Sequence, residues 1–141
     1  MRLELAIHFN RLSVTILNPS SQDQRLWDLE NSWGWDSFSF ELKAEAGGQF
    51  RIRRKPREWT KNGPHYFVLL PGGERAVHFD LNDGWWEAED LAGLQGEAIA
   101  ARARLQIDPS PEAEQYGIFV GTLLSEWVVS TPPHGWLPPA S

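Results

Sequence analysis

The chain has 141 residues and no cysteine, which excludes disulfides, thiolate nucleophiles and zinc sites with sulfur ligands. Its length suits one domain, and a hydrophobic content of 41% with eight tryptophans excludes a disordered chain. The formal net charge of −6 argues against a general polyanion-binding surface, so we expect no nucleic-acid partner.

We expect no targeting signal in this sequence. Glu4 interrupts the short apolar stretch from Met1 to His8, which is therefore too short for a signal peptide. No window of about 18 consecutive apolar residues occurs, so no membrane-spanning helix is predicted. These features predict a cytoplasmic protein without a membrane partner.

Alternating apolar residues predict the first two strands. Apolar positions alternate from Leu3 to Phe9 and again from Leu12 to Ile16, which is typical of strands with one buried face. Because the two runs differ in phase by one residue, we predict a turn or bulge at Asn10 and Arg11. The segment from Gln22 to Asn31 is predicted to be a polar connection.

The stretch Asn31 to Leu42 is predicted to organise the fold. Apolar and polar residues alternate from Ser37 to Lys43, as in a half-buried central strand. Gln49 to Arg54 alternates again after two glycines, so the two segments are predicted to form a hairpin. We expect either Trp33 or Trp35 to pack between two sheets.

Prolines and glycines divide the middle of the chain. Lys55 to Pro64 contains two prolines and an Asn-Gly step, and is predicted to be an exposed loop. His65 to Leu70 and Arg75 to Leu81 are predicted strands joined by a Pro-Gly-Gly turn. Asn82 to Gly96 is compatible with a strand or with one or two helical turns.

The last third of the chain contains one long alternating run. Ile99 to Ile107 alternates as a strand does, although its many alanines leave a helix from Leu94 to Ile107 as an alternative. A loop over residues 108–115 is predicted to precede a last strand from about Tyr116 to Val129, with Trp127 in the core. Residues 1–130 are predicted to form the domain, and residues 131–141 a proline-rich tail that is mobile unless Trp136 docks.

Seven to nine short antiparallel strands with regularly spaced turns predict an all-β, two-sheet sandwich. Three parts of the sequence resemble bacterial immunoglobulin-like domains, including the intracellular proteinase-inhibitor type: Leu17-Asn-Pro-Ser20, Leu70-Pro-Gly-Gly73 before Val77-His-Phe-Asp80, and Gly121-Thr-Leu-Leu-Ser-Glu-Trp-Val128. The resemblance implies an immunoglobulin-like sandwich and a binding domain. It transfers no functional residue to this chain.

Catalytic and metal-binding motifs are not evident in the sequence. No two of the four histidines, at positions 8, 65, 78 and 134, have the spacing of metal ligands. The serines lack the Gly-x-Ser-x-Gly context, and no phosphate-binding glycine motif occurs. We therefore predict neither an enzyme nor a cofactor. Asp80 to Asp90 is either a solvated acidic loop or, as an alternative, a calcium site that also uses Glu87 and Glu89.

Positive charge is concentrated between Arg51 and Lys61, where Glu58 is the only acidic residue. One interpretation is a solvated surface, since charge runs usually serve solubility. The alternative is a basic patch around Trp59 that engages an acidic partner.

The loops are also rich in tryptophan, and exposed aromatic side chains mark partner or ligand surfaces. We therefore predict a non-catalytic protein-binding domain, with protease inhibition as one specific version. The candidate partner-binding residues are Arg54, Arg57, Trp59, Trp85 and Trp86. The alternative is a carbohydrate-binding module that stacks sugars on the exposed loop tryptophans.

Overall fold

The computed structural model describes residues 1–88, 91–94 and 96–139, and this part of the chain is all-β. Its strands are β1 (Arg2–Ile7), β2 (Leu12–Leu17), β3 (Gln24–Trp27), β4 (Phe38–Ala44), β5 (Gln49–Arg54), β6 (Tyr66–Leu69), β7 (Glu74–Phe79), β8 (Trp86–Ala88), β9 (Ile99–Ile107), β10 (Gly121–Leu124) and β11 (Val128–Ser130). Helical structure consists of a 3₁₀ turn, Ala92–Leu94, and helix α1, Pro111–Tyr116. Crossing a bilayer would require a longer, more apolar helix than any in these ranges.

The strands form three antiparallel sheets. The first has the order β1-β2-β7 and the second the order β10-β9-β4-β5-β8, with β11 also paired to β9. The third sheet consists of β3 and β6. Strand β4 lies between β5 and β9, so the prediction that it is a central strand with β5 as its hairpin partner is confirmed.

One hydrophobic core lies between the first two sheets. Phe38, Phe40 and Leu42 point into it from β4, as their alternation predicts. The ring centroid of Phe79 in β7 lies 5.2 Å from that of Phe38 and 5.5 Å from that of Phe40. The three-stranded sheet β1-β2-β7 thus packs its side chains against the centre of the six-stranded sheet.

In the last third of the chain, the alternating pattern from Ile99 to Ile107 predicted the structure correctly, because these residues form strand β9. Every second residue from Ile99 to Ile107 is buried, and β9 pairs with β4, β10 and β11. A helix would distribute these apolar side chains around its axis, so the helical alternative is wrong for this segment. Leu94 lies in the 3₁₀ turn, and Gln95 lies outside the described residues.

Two short elements occupy segments that were predicted to be irregular. Strand β3 interrupts the predicted polar connection, because Leu26 and Trp27 are buried and the strand pairs with β6. Helix α1 replaces part of the predicted loop after β9. Its start follows from Ser110, whose hydroxyl accepts a hydrogen bond from the Ala113 amide, and from the proline at its first position.

The last strand, predicted from about Tyr116 to Val129, is two strands, β10 and β11. The first part of that prediction is wrong, because Tyr116 ends helix α1 and β10 begins only at Gly121. Ser125 separates β10 from β11: its amide donates to the Ala103 carbonyl, and its hydroxyl accepts from the Ala103 amide. This side-chain hydrogen bond takes the place of a regular ladder bond. Trp127 follows and is half-buried between Lys43 and Arg102 rather than in the core, which corrects its predicted position.

Trp136 docks the proline-rich segment onto the domain. Its side chain is 1% exposed, and its indole Nε1 donates to the Ser130 hydroxyl at 2.9 Å. Leu137 is also buried in the core. Of the tail, Ala140 and Ser141 lie outside the described residues.

Candidate partner-binding site

The site begins with the turn before β4, and Asn31 fixes the shape of that turn. The Asn31 side-chain amide donates to the His65 carbonyl at 2.9 Å, and its Oδ1 accepts from the amides of Trp33 and Gly34. A side chain at position 34 would not fit, because its Cβ would lie 2.0 Å from the Asp28 carbonyl oxygen. The turn therefore holds the two tryptophans in defined positions.

Trp35 is the residue around which the site is built. It is buried, and its indole Nε1 donates to the Lys55 carbonyl at 2.9 Å. The Trp59 and Trp85 rings meet it nearly at right angles, with centroids at 5.9 and 5.4 Å. One indole thereby joins the turn before β4 to the loop after β5 and to the segment that enters β8.

Neither Trp33 nor Trp35 belongs to the main group of buried core residues, which corrects the prediction of a tryptophan between the sheets. Trp33 is half-buried and packs on Trp27, with ring centroids 5.6 Å apart. The tryptophans of the core are instead Trp27, Trp86 and Trp136.

Arg54 lies between two of the rings. Its guanidinium carbon is 3.8 Å from the Trp35 centroid and 5.1 Å from that of Trp86, which stands directly opposite Arg54 in the β5–β8 pairing. Burial lowers the pKa of the Arg54 guanidinium below its usual range. The Arg54 Nε and Nη1 atoms are buried and make no hydrogen bond within the described residues. The charge is stabilised by the ring faces and by the nearby carboxylates of Asp83 and Glu30.

Arg57 covers the outer side of the same rings. The side chain is exposed, and its guanidinium carbon lies 4.9, 4.6 and 5.8 Å from the centroids of Trp35, Trp59 and Trp85. Its Nη1 is 3.4 Å from a carboxylate oxygen of Glu30, an ion pair at the surface. Arg57 is therefore presented to solvent in one orientation by aromatic contacts.

We call this group the arginine–tryptophan cluster: Trp35, Arg54, Arg57, Trp59, Trp85 and Trp86. All five residues predicted for partner binding lie in it. Their exposure differs, because Trp85 is 40% exposed and Trp59 half-buried, whereas Trp86 is buried against Phe40 and Phe79. Trp86 and Arg54 thus support the cluster, and Arg57, Trp59 and Trp85 form its accessible surface.

Trp35 is the member that sequence reasoning missed. The signal was the Asn31-x-x-Gly34 spacing, which predicts a side-chain-stabilised turn and directs the following tryptophan away from the strand. The spacing alone does not place Trp35, because the turn also depends on the Asp28 carbonyl, which lies too close to Gly34 for a side chain to fit.

Metal ligands do not gather anywhere in the described ranges: no three histidine, aspartate or glutamate side chains there could hold one ion. Glu89 and Asp90, which belong to the calcium alternative of the sequence, lie outside those ranges. In the part that is described, the Asp80 and Asp83 carboxylates accept hydrogen bonds from the amides of Asn82 and Trp85, as in an Asx turn.

No protein-family model, curated protein or solved structure matches this chain. The function is therefore inferred from the residues of the chain itself.

Proposed function

We propose that this chain is a non-catalytic, immunoglobulin-like β-sandwich that binds another protein through the exposed part of the arginine–tryptophan cluster. The observation that carries the proposal is Arg57, an exposed cation held over three tryptophan rings. The sandwich interpretation is supported by the core that the three-stranded and the large sheet share.

The composition of the exposed surface favours a protein partner. Tryptophan and arginine are the residues most often found at the energetic centre of protein interfaces. Side chains that are already ordered in the free protein lose little conformational entropy on binding. The contacts of Arg57 with the rings, and of Trp35 with the Lys55 carbonyl, supply such order here.

The charge of the cluster favours an acidic group on that partner. Arg57 has one carboxylate partner in the described residues, Glu30, whose side chain is 72% exposed. An exposed pair of this kind contributes little to stability and is easily exchanged. A carboxylate from a partner protein would replace Glu30 and bury the exposed ring of Trp85.

Protease inhibition is the specific version that we retain. Residues 55–64 contain neither strand nor helix and are mostly exposed, while Trp59 fixes their middle to Trp35. An exposed loop with a fixed conformation is what a protease cleft binds without losing affinity to loop ordering. Inhibition assays with proteases of different specificity test this version. If the chain is an inhibitor, the peptide bond between Arg57 and Glu58 and the neighbouring bonds should remain uncleaved after incubation with the protease.

The carbohydrate alternative rests on the exposed ring of Trp85, because sugars stack on indole faces. Against it, Arg57 already lies over one side of the accessible rings. Tryptophan fluorescence titrations with oligosaccharides decide the matter: a saturable shift that Trp85→Ala abolishes would favour the sugar ligand over a protein.

The main experiment is a pull-down from lysate with quantitative mass spectrometry. The variants are Arg57→Ala and Trp85→Ala, and the control is Arg2→Ala, an exposed arginine at the start of β1 that pairs with Glu4. We expect both cluster variants to recover at least about tenfold less of one specific protein, whereas the control retains it. Equal recovery by all four proteins would remove the cluster from the interface.

A further inference from the structure

The outward side of the large sheet carries several arginines in register. Strand pairing places Arg53 and Arg104 on either side of Ser39, and Arg51 and Arg102 on either side of Glu41. The residues that alternate with them in β4 and β9 are buried, so all these side chains lie on the outer face of the sheet.

Only part of this positive charge is neutralised. Arg102 Nε lies 2.7 Å from Glu41 Oε1, and Arg102 and Lys43 both lie against the Trp127 ring. Within the described residues, no carboxylate forms an ion pair with Arg51, Arg53 or Arg104. Three positive charges thus remain around the single hydroxyl of Ser39.

The hydrogen bonds of these arginines leave donors unused. Arg51 approaches the Ser39 hydroxyl with Nη2 at 3.2 Å and Nε at 3.4 Å. Arg104 Nη2 donates to Gln106 Oε1, while Arg104 Nε is buried and has no partner in the described part of the chain. A buried donor without a partner costs free energy unless a ligand or water satisfies it.

The like charges also act on one another. Burial lowers the pKa of the Arg51 guanidinium, and the charges of Arg53 and Arg104 lower it further. Glu41 opposes this effect but is already paired with Arg102. An anion bound between the three arginines would remove the repulsion.

A depression of about 230 Å³ lies at this position. It is lined by Ser37, Ser39, Arg51, Arg53, Arg54 and Gln106 and by the carboxylates of Asp36 and Asp108. Arg104 stands beside it, opposite Ser39 in the strand pairing and hydrogen-bonded to Gln106. Asp108 Oδ1 accepts a hydrogen bond from Gln106 Nε2 at 2.9 Å, but this neutral donor leaves the negative charge of Asp108 in place. The lining therefore carries three guanidinium groups and two carboxylates.

We propose that this depression, which we call the outer-face site, binds a phosphate group, either as the free anion or as a small monoester. A phosphate dianion offers three terminal oxygens and two charges to the donors of Arg51, Arg53, Arg104 and the Ser39 hydroxyl. A carboxylate has two oxygens and one charge, so it would leave a guanidinium unmatched. The site shares Arg54 with the arginine–tryptophan cluster, but none of the accessible cluster residues Arg57, Trp59 and Trp85 lines it.

Thermal unfolding of the full chain tests the proposal, with inorganic phosphate, glycerol 3-phosphate, acetate and sodium chloride compared at equal ionic strength. We expect saturating inorganic phosphate or the monoester to raise the Tm by about 2–6 °C over sodium chloride, because a ligand of the folded state stabilises it by mass action. Tighter binding of glycerol 3-phosphate than of inorganic phosphate would favour a monoester over the free anion. An equal Tm in phosphate and in chloride, or an equal rise with acetate, would overturn the proposal.

Variants test whether phosphate binds at the outer-face site. Arg51→Gln and Arg104→Gln should weaken phosphate binding at least about tenfold, since each removes charged hydrogen-bond donors. Arg11→Gln, an exposed arginine in the turn between β1 and β2, should bind as the wild type does. Each affinity is measured against the variant's own baseline. In the wild type, NMR signals of the Arg51 and Arg104 Nε–H groups should shift on adding phosphate, and unmoved signals would contradict the assignment.

Discussion

The guanidinium carbon of Arg54 lies 3.8 Å from the centre of the Trp35 ring. Arg54 ends β5, the hairpin partner of the central strand, whereas Trp35 belongs to the turn that leads into that strand. The contact therefore connects the sheet to the loops of the arginine–tryptophan cluster. It explains how loops without regular structure present Arg57 and Trp85 in one orientation.

Trp35→Phe should destabilise the protein more than Trp85→Phe. The first change removes the hydrogen bond to the Lys55 carbonyl and part of a buried ring, which together contribute about 1–3 kcal/mol. The second removes part of a ring that is 40% exposed, so a loss below about 1 kcal/mol is expected. Urea unfolding followed by circular dichroism measures both, and equal losses would show that Trp35 does not support the loops.

Gly34→Ala should lower the free energy of unfolding by about 2–4 kcal/mol, because the new Cβ would overlap the Asp28 carbonyl oxygen and force the turn to move. The matched control is Gly93→Ala, where a Cβ would meet no atom of the described residues within 4 Å. The control should change stability by less than about 1 kcal/mol. If both variants unfold at the wild-type urea concentration, the turn tolerates a side chain and its described geometry is wrong.

Asn18→Ala should cost about 2–4 kcal/mol. The buried Asn18 amide donates to the carbonyls of Gln22, Leu69 and Leu70, and its Oδ1 accepts from Ser20. The variant loses the buried bond to the Leu69 carbonyl and the bond that holds Ser20, whereas the Gln22 and Leu70 carbonyls keep the donors of Ser20 and Gly73.

The control for this prediction is Asn82→Ala, whose exposed side chain makes one long hydrogen bond of 3.3 Å to the Gly135 carbonyl. Its expected cost is below about 1 kcal/mol. Chemical denaturation of both variants gives the comparison, and a larger loss for the control would be inconsistent with the Asn18 contacts.

Trp136→Ala should destabilise the whole domain by about 3–5 kcal/mol, since it empties a buried site and removes the donor to Ser130. Thr131→Ala, at an exposed position of the same segment, should leave stability within about 0.5 kcal/mol of the wild type. Thermal unfolding and limited proteolysis test this together. Unchanged stability with faster cleavage after residue 130 would mean that the segment docks without supporting the core.

Several parts of the fold were predictable because they depend on local periodicity. The alternation in β4 and β9 has a period of two, and each strand buries the predicted face. The slip between β1 and β2 correctly indicated a turn, since the His8 amide bonds to the Arg11 carbonyl there. These features require no knowledge of distant residues.

Short elements were harder to predict from the sequence. Strand β3 has four residues and a mixed pattern, and it is a strand because β6 supplies its hydrogen bonds. The break at Ser125 depends on a bond to Ala103, 22 positions earlier. Such contacts produce no periodic pattern in the sequence of the segment that makes them.

In the candidate site, too, some features could be predicted from the sequence and others could not. The sequence by itself determined that Arg57, Trp59 and Trp85 lie near loops, because proline, glycine and Asp-Gly steps exclude long strands there. Only the tertiary structure decided that Trp35 joins them and that Trp86 supports them from the core. It also decided that Arg51, Arg53 and Arg104 surround Ser39. The physical reason is that strand alternation fixes which face a side chain takes, whereas its neighbours depend on pairing register between segments far apart in the chain.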